Sequence, residues 1–253
     1  MRRIAGMTAA LCAVLGGASA NDATAPKPLA FRAEARIEVD ADGKLVKVGV
    51  AKEVPDGVRR YVAQELAKWK FVQRPRSGEA GIASTWLLLS ACAVPDASGG
   101  YSMGLAFHGN GPRITGGEPW ALTQAMGAVV EKYKMTGEMT IHFVVGADGT
   151  AKLESIDGLD DSRGGKLLRT ETERMVEINH FEPEEIDGHP VATRGTLQLQ
   201  FGPGTGHRTF RFNWHTSYVQ SRQCETAAAA GEKSNAGLPV AMVDSVLEVD
   251  PVF

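Results

Sequence analysis

The segment NHFEPEEIDGHPVATRGTLQLQF, residues Asn179 to Phe201, shows how the chain is organised. It begins polar, passes a Phe-x-Pro and an Asp-Gly-x-Pro-Val, and ends in alternating apolar and polar residues. Such alternation predicts a strand with one buried face, here over Thr193 to Phe201. We therefore expect a helix exit, a link shaped by proline, and a final strand. The apolar members of that strand should face a helix, while Gln198 and Gln200 should face away.

Two similar hairpins occur earlier in the chain. In Phe31 to Val50, apolar residues alternate with charged ones up to Asp42-Gly43, and a second strand returns. In Glu138 to Ile156 the same alternation ends at Asp148-Gly149. Alternation predicts half-buried strands, and Asp-Gly predicts the tight turn between them. An apolar stripe at helical spacing follows each hairpin, so each unit should contain a helix.

The segment from Trp69 to Cys92 is the counterpart of the opening one. The corresponding pairs are Phe71 and Phe181, Gly78 and Gly188, Leu87 and Leu197, and Leu89 and Leu199. A fourth strand is expected in each unit, from GYSMGLAFHG and from RTFRFNWH. The predicted fold class is α+β, with two tandem ββαβ(β) units, each a small antiparallel sheet with one helix packed on a face.

The predicted organisation divides the chain into five parts. They are a signal peptide (1–20), a short linker (21–29), a first unit (30–110), a second unit with a leading helix (111–215) and a partly flexible tail (216–253). The leading helix, in EPWALTQAMGAVVEKYK, should pack on the second sheet, the alternative being an exposed partner-binding helix. In the tail, ETAAAAGEKSNAG is predicted to be flexible and LPVAMVDSVLEVDPVF to add to a sheet edge.

The first twenty residues have the pattern of a secretory signal peptide. Arg2 and Arg3 form a basic start, an apolar run follows, and Ala18-Ser19-Ala20 is a small-residue cleavage site. The apolar run is shorter than the ~20 residues of a spanning helix, which favours cleavage after Ala20 over retention as an anchor. We therefore expect a periplasmic protein with no transmembrane span in its mature chain, and the uncleaved anchor is the competing interpretation.

Charge and cysteine content follow from cleavage. Losing two arginines changes the net charge from −3 to −3 − 2 = −5. This mildly acidic chain has no basic run, so nucleic acid is not an expected partner. Cys92 and Cys224 remain, and in an oxidising compartment such a pair can close into a disulfide. We predict that bond, with two separate buried thiols as the alternative.

The two units resemble tandem copies of the TonB C-terminal domain. That family has a strand, an Asp-Gly hairpin, a helix ending in Trp-x-Phe, a Phe-x-Pro, and a Gly-x-Pro-Val before its last strand. The first unit keeps Trp69 and Phe71. The second unit keeps Phe181, Pro183, Gly188 and Pro190, with Asn179 at the tryptophan position. The resemblance covers about 70 residues of each unit.

The resemblance implies a non-enzymatic module that binds envelope proteins, TonB-dependent outer-membrane receptors among them. In the family, an extended segment adds alongside the final strand. The equivalent candidates here are Thr193, Thr196, Gln198 and Gln200. Because RTFRFNWH follows after a short loop, we expect the chain itself to cover this edge. A partner would then displace the outer strand or bind elsewhere, such as the free edge of the hairpin Phe31 to Val50.

Two other functions stay open at this stage. One is a membrane-anchored energy transducer for outer-membrane transport, although only Ala23 to Leu29 resembles a spacer. The other is an envelope enzyme with an unrecognised site. No catalytic constellation, cofactor motif or metal-ligand spacing stands out among the histidines, which are His108, His142, His180, His189, His207 and His215. Trp69 and Trp86 are expected in the core, the alternative being ligand platforms.

Overall fold

The computed structural model describes residues 26–74, 81–116, 124–203, 210–214, 219–232 and 241–253. The predicted signal peptide, with its cleavage after Ala20, lies outside these residues. None of the helices in these ranges has the length and apolar character needed to cross a membrane. The protein is an α+β structure with helices packed on antiparallel sheets, as predicted.

The first unit contains a four-stranded portion of the largest sheet and one helix. In chain order its elements are β1 (Leu29–Val39), β2 (Leu45–Val50), α1 (Asp56–Leu66), β3 (Lys70–Gln73), β4 (Ala83–Pro95) and β5 (Tyr101–Gly111). The strands lie in the order β2-β1-β4-β5, and each neighbouring pair is antiparallel. Helix α1 packs on one face because Val58, Val62 and Leu66 recur at helical spacing and are buried.

The second unit repeats this order after a connection with β6 (Arg113–Gly116) and α2 (Gln124–Tyr133). Its elements are β7 (Gly137–Val145), β8 (Ala151–Asp157), α3 (Arg163–Glu177), β9 (His180–Glu182), β10 (Glu184–Ile186), β11 (His189–Val191), β12 (Thr193–Pro203) and β13 (Phe210–Trp214). The sheet order β8-β7-β12-β13 matches that of the first unit strand for strand. The sequence repeat therefore corresponds to a repeat of topology.

Both Asp-Gly turns lie against the strand that follows the helix of the same unit. Gly43 has φ 81° and Gly149 has φ 78°, a left-handed conformation that glycine adopts without steric cost. A Cβ on Gly43 would lie 2.3 Å from the carbonyl oxygen of Phe71. On Gly149 it would lie 2.3 Å from that of Phe181. Glycine is thus required twice, at equivalent places and for the same reason.

Helix α2 packs in the second unit, as expected for its apolar stripe. Met126 and Val130 are fully buried in the core that also holds Leu168 and Met175 of α3. The strands contribute Leu197, Leu199 and Phe201 to the same core, whereas Gln198 is exposed. The predicted alternation of β12 is therefore confirmed, and both helices lie on its apolar face.

The link between α3 and β12 is itself a hairpin. Strands β10 and β11 pair around Asp187 and Gly188, which have φ values of 50° and 75°. The hairpin also pairs with the first unit, since Glu185 lies opposite Ser84 in β4. The opening segment of sequence therefore joins the two units as well as supplying β12 of the second one.

The tail returns to both units. Its elements are β14 (Val219–Gln220), α4 (Arg222–Ala229), β15 (Ala241–Met242) and β16 (Leu247–Asp250). The prediction of flexibility from Glu225 is wrong for Glu225 to Ala229, which lie in α4. The alanine run has high helix propensity, and the helix buries Cys224 and Ala227. The predicted addition to sheet edges is confirmed, because β15 pairs with β12 and β16 pairs with β3.

Cys92 and Cys224 are joined as predicted, with their Cα atoms 5.1 Å apart. Cys92 belongs to β4, and Cys224 belongs to α4, which packs on the β4–β5 face opposite α1. The bond therefore holds the tail to the first unit and closes a loop that contains the whole second unit.

Candidate functional site

The predicted binding edge, Thr193 to Phe201, is covered on both sides by the chain itself. One side pairs with β7 along its whole length. On the other side, Leu199–Pro203 pair with β13, which confirms the expected coverage by the fourth strand. Gly195 and Thr196 pair with β15 of the tail, which was predicted to add to a sheet edge but not to this one.

The four candidate side chains on this strand have different surroundings. Thr193 is fully buried, and its hydroxyl donates to the carboxylate of Glu184 at 2.7 Å. Thr196 is half-buried, and Gln198 is exposed. The Gln200 amide donates to the carboxylate of Glu138. Thr193 therefore cannot offer its side chain to a partner in this conformation, because burial and Glu184 already engage it.

The aromatic residues of the family motif lie in the two cores, and its glycine and prolines lie in the link that follows the helix. Trp69, Phe71 and Phe181 are each about 5% exposed. Trp69 makes edge contacts with the rings of Phe107 and Phe253, which agrees with its predicted core role. Gly188 supplies the turn of the β10–β11 hairpin, Pro183 stands between β9 and β10, and Pro190 is an exposed residue of β11.

Asn179 occupies the tryptophan position of the second unit with a different contact. It is fully buried, and its amide donates to the Met175 carbonyl at 2.6 Å. This bond satisfies one of the carbonyls left without a partner at the end of α3. The second unit thus has a hydrogen-bonding amide at the position where the first unit has a core indole.

The outer edges of the two sheets differ in chemistry. Strand β2 is an edge strand, with no described strand beside its outer side, and its Val46 is 53% exposed. Its one charged residue, Lys47, is paired with Glu38 at 2.7 Å. The equivalent edge strand β8 exposes Lys152, Glu154 and Asp157. Charged residues protect an edge against pairing with another chain, so β2 is the less protected of the two.

A fully buried carboxylate lies where the two units and the tail meet. Glu184 accepts from the hydroxyl of Thr85 in the first unit at 2.6 Å. It also accepts from Thr193 at 2.7 Å and from Ser245 of the tail at 2.6 Å. The described part of the chain places no cationic side chain in an ion pair with it. Its oxygens are therefore engaged by hydrogen-bond donors from all three regions.

Ion pairs connect the units beside this carboxylate. Arg36 of β1 bonds to the carboxylates of Glu182 and Glu185 in the second unit. Arg113 of β6 bonds to Glu182 at 3.1 Å. These groups are only partly exposed, and their ion pairs hold the β9–β10 segment to the first sheet on the face that does not carry α1.

A cavity of about 310 Å³ lies on that same face of the first sheet. Trp86 and Leu88 of β4 form its base with Arg32 and Glu34 of β1. The other walls come from the β6 segment, from Phe181 of the second unit and from Met242 of the tail. Trp86 is half-buried, and Arg113 is stacked 4.0 Å above its ring. The prediction that Trp86 is a core residue is therefore wrong.

His108 also lines the cavity and contacts Ser90. Its Nε2 lies 2.6 Å from the Ser90 hydroxyl oxygen. Burial lowers the pKa of His108 to about 4, so the ring is neutral at neutral pH. Ser90 is 1% exposed and is not among the lining residues. The pair therefore has the placement of a buried structural hydrogen bond and not that of a nucleophile open to substrate.

Sequence reasoning missed Glu184, Arg113 and the cavity role of Trp86. The hydroxyl partners of Glu184 come from positions 85, 193 and 245, so no local pattern marks it. One signal was available for the hairpin that carries Glu184, since Asp187-Gly188 is a turn dipeptide between short strands.

No cluster of three or more His, Cys, Asp or Glu side chains suited to a metal ion occurs within the described ranges. Comparison of the chain with protein-family models, curated proteins and solved structures finds no match.

Proposed function

We propose that this protein is a non-enzymatic binding module of the cell envelope, of TonB C-terminal type, that takes up an extended partner segment along β2. The repeated order of strand, Asp-Gly turn, strand, helix and final strand supports the type. The uncovered outer edge of Leu45–Val50 supports the place of binding. A partner strand would gain main-chain hydrogen bonds there, which is how strand addition provides affinity.

The geometry of β2 identifies which groups a partner would meet. The Ala51 N–H donates to the Glu34 carbonyl, so Ala51 points its polar groups toward β1. Alternation along an antiparallel pair then directs the N–H and C=O of Val50 and Val48 outward. These two residues offer the main-chain groups to which an added strand would bond, and Val46 offers an exposed apolar side chain next to them.

The other edges are less suitable for the same mode. Strand β12 is covered by β13 and β15, so a partner would first have to displace part of the chain. Strand β8 exposes charges that oppose pairing. The partner expected at β2 is another envelope protein, with TonB-dependent outer-membrane receptors as one candidate class, and the protein acts as a periplasmic chain cleaved after Ala20.

Photocrosslinking in the intact envelope tests the site. A photoreactive amino acid at Val46 should give a defined adduct, whereas one at the exposed Glu154 of β8 should give none. A third position, Gln198 on β12, separates the displacement route. Adducts from Gln198 but not from Val46 would move the site to β12, and no adduct from any of the three would reject strand addition on these edges.

A matched pair of variants tests the main-chain contacts. Val48→Pro removes an outward N–H without removing a hydrogen bond to β1, and proline is tolerated at such edge positions. Val48→Ala removes similar packing but keeps the N–H. Partner capture should be lost in Val48→Pro and retained in Val48→Ala. Equal capture by both would show that main-chain bonding at β2 is not used.

The anchored energy transducer differs from this proposal in the mature N-terminus. Ala18-Ser19-Ala20 behind a short apolar run favours cleavage. Intact-mass measurement of the exported protein should give a chain that starts at Asn21. A mass that includes Met1 would favour the anchored form.

A further inference from the structure

The cavity on the first sheet has the composition of a ligand site. Its volume of about 310 Å³ is roughly twice the ~150 Å³ that accommodates benzene. Leu88, Phe181 and Met242 supply apolar surface beside the half-buried indole of Trp86. The walls come from both units and the tail, and junctions of this kind are common places for small-molecule sites.

The polar groups of the cavity offer more donors than acceptors. Arg32 and Arg113 line it, and each guanidinium carries five N–H donors. Among the described residues, Arg32 donates to Glu34 at 2.5 Å and Arg113 donates to Glu182 at 3.1 Å. The Nε of Arg113 and the indole N–H of Trp86 are buried, so the donors open to a ligand are the terminal nitrogens of the two guanidinium groups, whose side chains are 47% exposed in Arg32 and 34% in Arg113. A ligand that binds here is therefore expected to bring acceptor oxygens.

The guanidinium groups of the cavity wall favour an anion over a neutral acceptor. The lining contains two arginines and one carboxylate, Glu34, while His108 is neutral. Glu182 and Glu185 lie outside the lining. Arg36 binds both of them, and Arg113 binds Glu182 at 3.1 Å and lies 4.0 Å from Glu34. A carboxylate fits paired guanidinium forks well, because both its oxygens can accept.

We propose that this cavity binds a small organic acid with an aromatic or branched apolar body. Arg32 and Arg113 bind the carboxylate, and the body packs on Trp86 and the neighbouring apolar side chains. This goes beyond strand addition at β2, and the lining includes no residue of β2. The two proposals can therefore fail independently.

Isothermal titration calorimetry on the mature protein tests the site with two probes of the same shape. The probes are 4-phenylbutyrate and its uncharged amide, 4-phenylbutyramide. The acid should bind, and the amide should bind about tenfold more weakly or worse, since a hydrogen bond to a charged group is lost. Absence of binding by the acid at millimolar concentration, or equal binding of acid and amide, would overturn the proposal.

Variants locate the binding to this cavity. Arg113→Gln should lower the affinity for the acid about ten- to a hundredfold, with little change in the affinity for the amide. Arg113 also contacts Glu182, so its replacement could disturb the junction between the units. Arg32→Gln is therefore a second variant, because the described hydrogen-bond partner of Arg32 is Glu34 alone. Arg60→Gln, an exposed arginine outside the cavity, should bind like the wild type. Wild-type affinity in a folded Arg32→Gln and a folded Arg113→Gln would place the acid elsewhere and reject the site.

Discussion

The two units have the same sheet order, but their central strands are buried differently. In the second unit, the equivalent strand β12 alternates between buried residues and exposed or half-buried ones from Thr193 to Phe201, as a sheet with one covered face requires. In the first unit, β4 is buried almost throughout. Its second face is covered by α4 and by the walls of the cavity, and the β10–β11 hairpin pairs along part of its edge. The same topology therefore serves once as an ordinary half-exposed sheet and once as the surface on which the molecule assembles.

This difference teaches how to interpret the two strand sequences. TRGTLQLQF alternates cleanly, whereas ASTWLLLSACAV does not. A near-continuous apolar run in a strand indicates cover on both faces. Four experiments test the contrast, starting with the change expected to cost most.

Loss of the disulfide should have the largest effect, because it holds α4 on the second face of the first unit. Cys92 and Cys224 are 132 positions apart, and closing a loop of this length stabilises by roughly 4 to 5 kcal/mol in the chain-entropy model. The unfolding free energies of the oxidised and the reduced mature protein, measured in urea, should differ by roughly 4 to 5 kcal/mol. The Cys92→Ser/Cys224→Ser double variant is the control for reductant. Two free thiols in unreduced, unfolded protein would contradict the bond.

Glu184→Ala should be the next most costly change. It leaves the hydroxyls of Thr85, Thr193 and Ser245 without their shared acceptor in a fully buried site. Each unsatisfied buried group costs about 1 to 3 kcal/mol. Because hydroxyls can rotate toward other acceptors, we expect a total loss of unfolding free energy of about 3 to 4 kcal/mol. Glu177→Ala, at an exposed position of α3, should change unfolding free energy by less than about 0.5 kcal/mol. Similar small losses in both would mean that Glu184 does not join the units.

Equivalent positions on the helix-facing sides should respond alike. Leu89 and Leu199 are both 0% exposed, one in each unit. Leu→Ala at either should lower the unfolding free energy by about 2 to 4 kcal/mol. Gln198→Ala, on the exposed face of β12, should cost under about 0.5 kcal/mol. A loss at Gln198 equal to that at Leu199 would mean that the faces of β12 are assigned wrongly.

At neutral pH the smallest effect is expected at His108 of the first unit, because its contribution to stability changes only as the pH falls. Burial lowers the pKa of His108 from 6.5 to about 4. Between these pH values the unfolded chain binds the proton more readily than the folded chain, so the contribution of His108 to stability falls as pH falls. Unfolding free energy measured from pH 7 to pH 4 should therefore fall less steeply in His108→Gln. Identical slopes, or an NMR titration of His108 near 6.5, would contradict this.

The repeat and much of the strand alternation were predictable because both depend on local chemistry. Gly43 and Gly149 mark equivalent turns, and the spacing of Val58, Val62 and Leu66 marks a helix. The tail was harder to predict. Its alanine run was treated as flexible, yet it forms a helix, because contact with β4 and β5 and the bond to Cys92 stabilise it.

The candidate binding edges also have features that the sequence predicted and features that it did not. Coverage of β12 by β13 followed from a short connection, but its coverage by β15 required a return over about forty residues of chain. The edge of β2 was named as an alternative surface from the hairpin pattern. Its weaker protection relative to β8 became clear only when both strands were known to be edges.

By itself, the sequence determined the α+β class, the two ββαβ(β) units, the Asp-Gly turns and the inward face of Leu197 and Leu199. These features depend on backbone conformation and on the spacing of apolar residues, which repeats about every two residues in a strand and about every 3.6 in a helix. Neighbouring positions in the sequence set both. Only the tertiary structure decided the meeting of Glu184 with Thr85 and Ser245, and the cavity over Trp86. Each depends on residues far apart in the chain, which packing alone brings within hydrogen-bond or van der Waals distance.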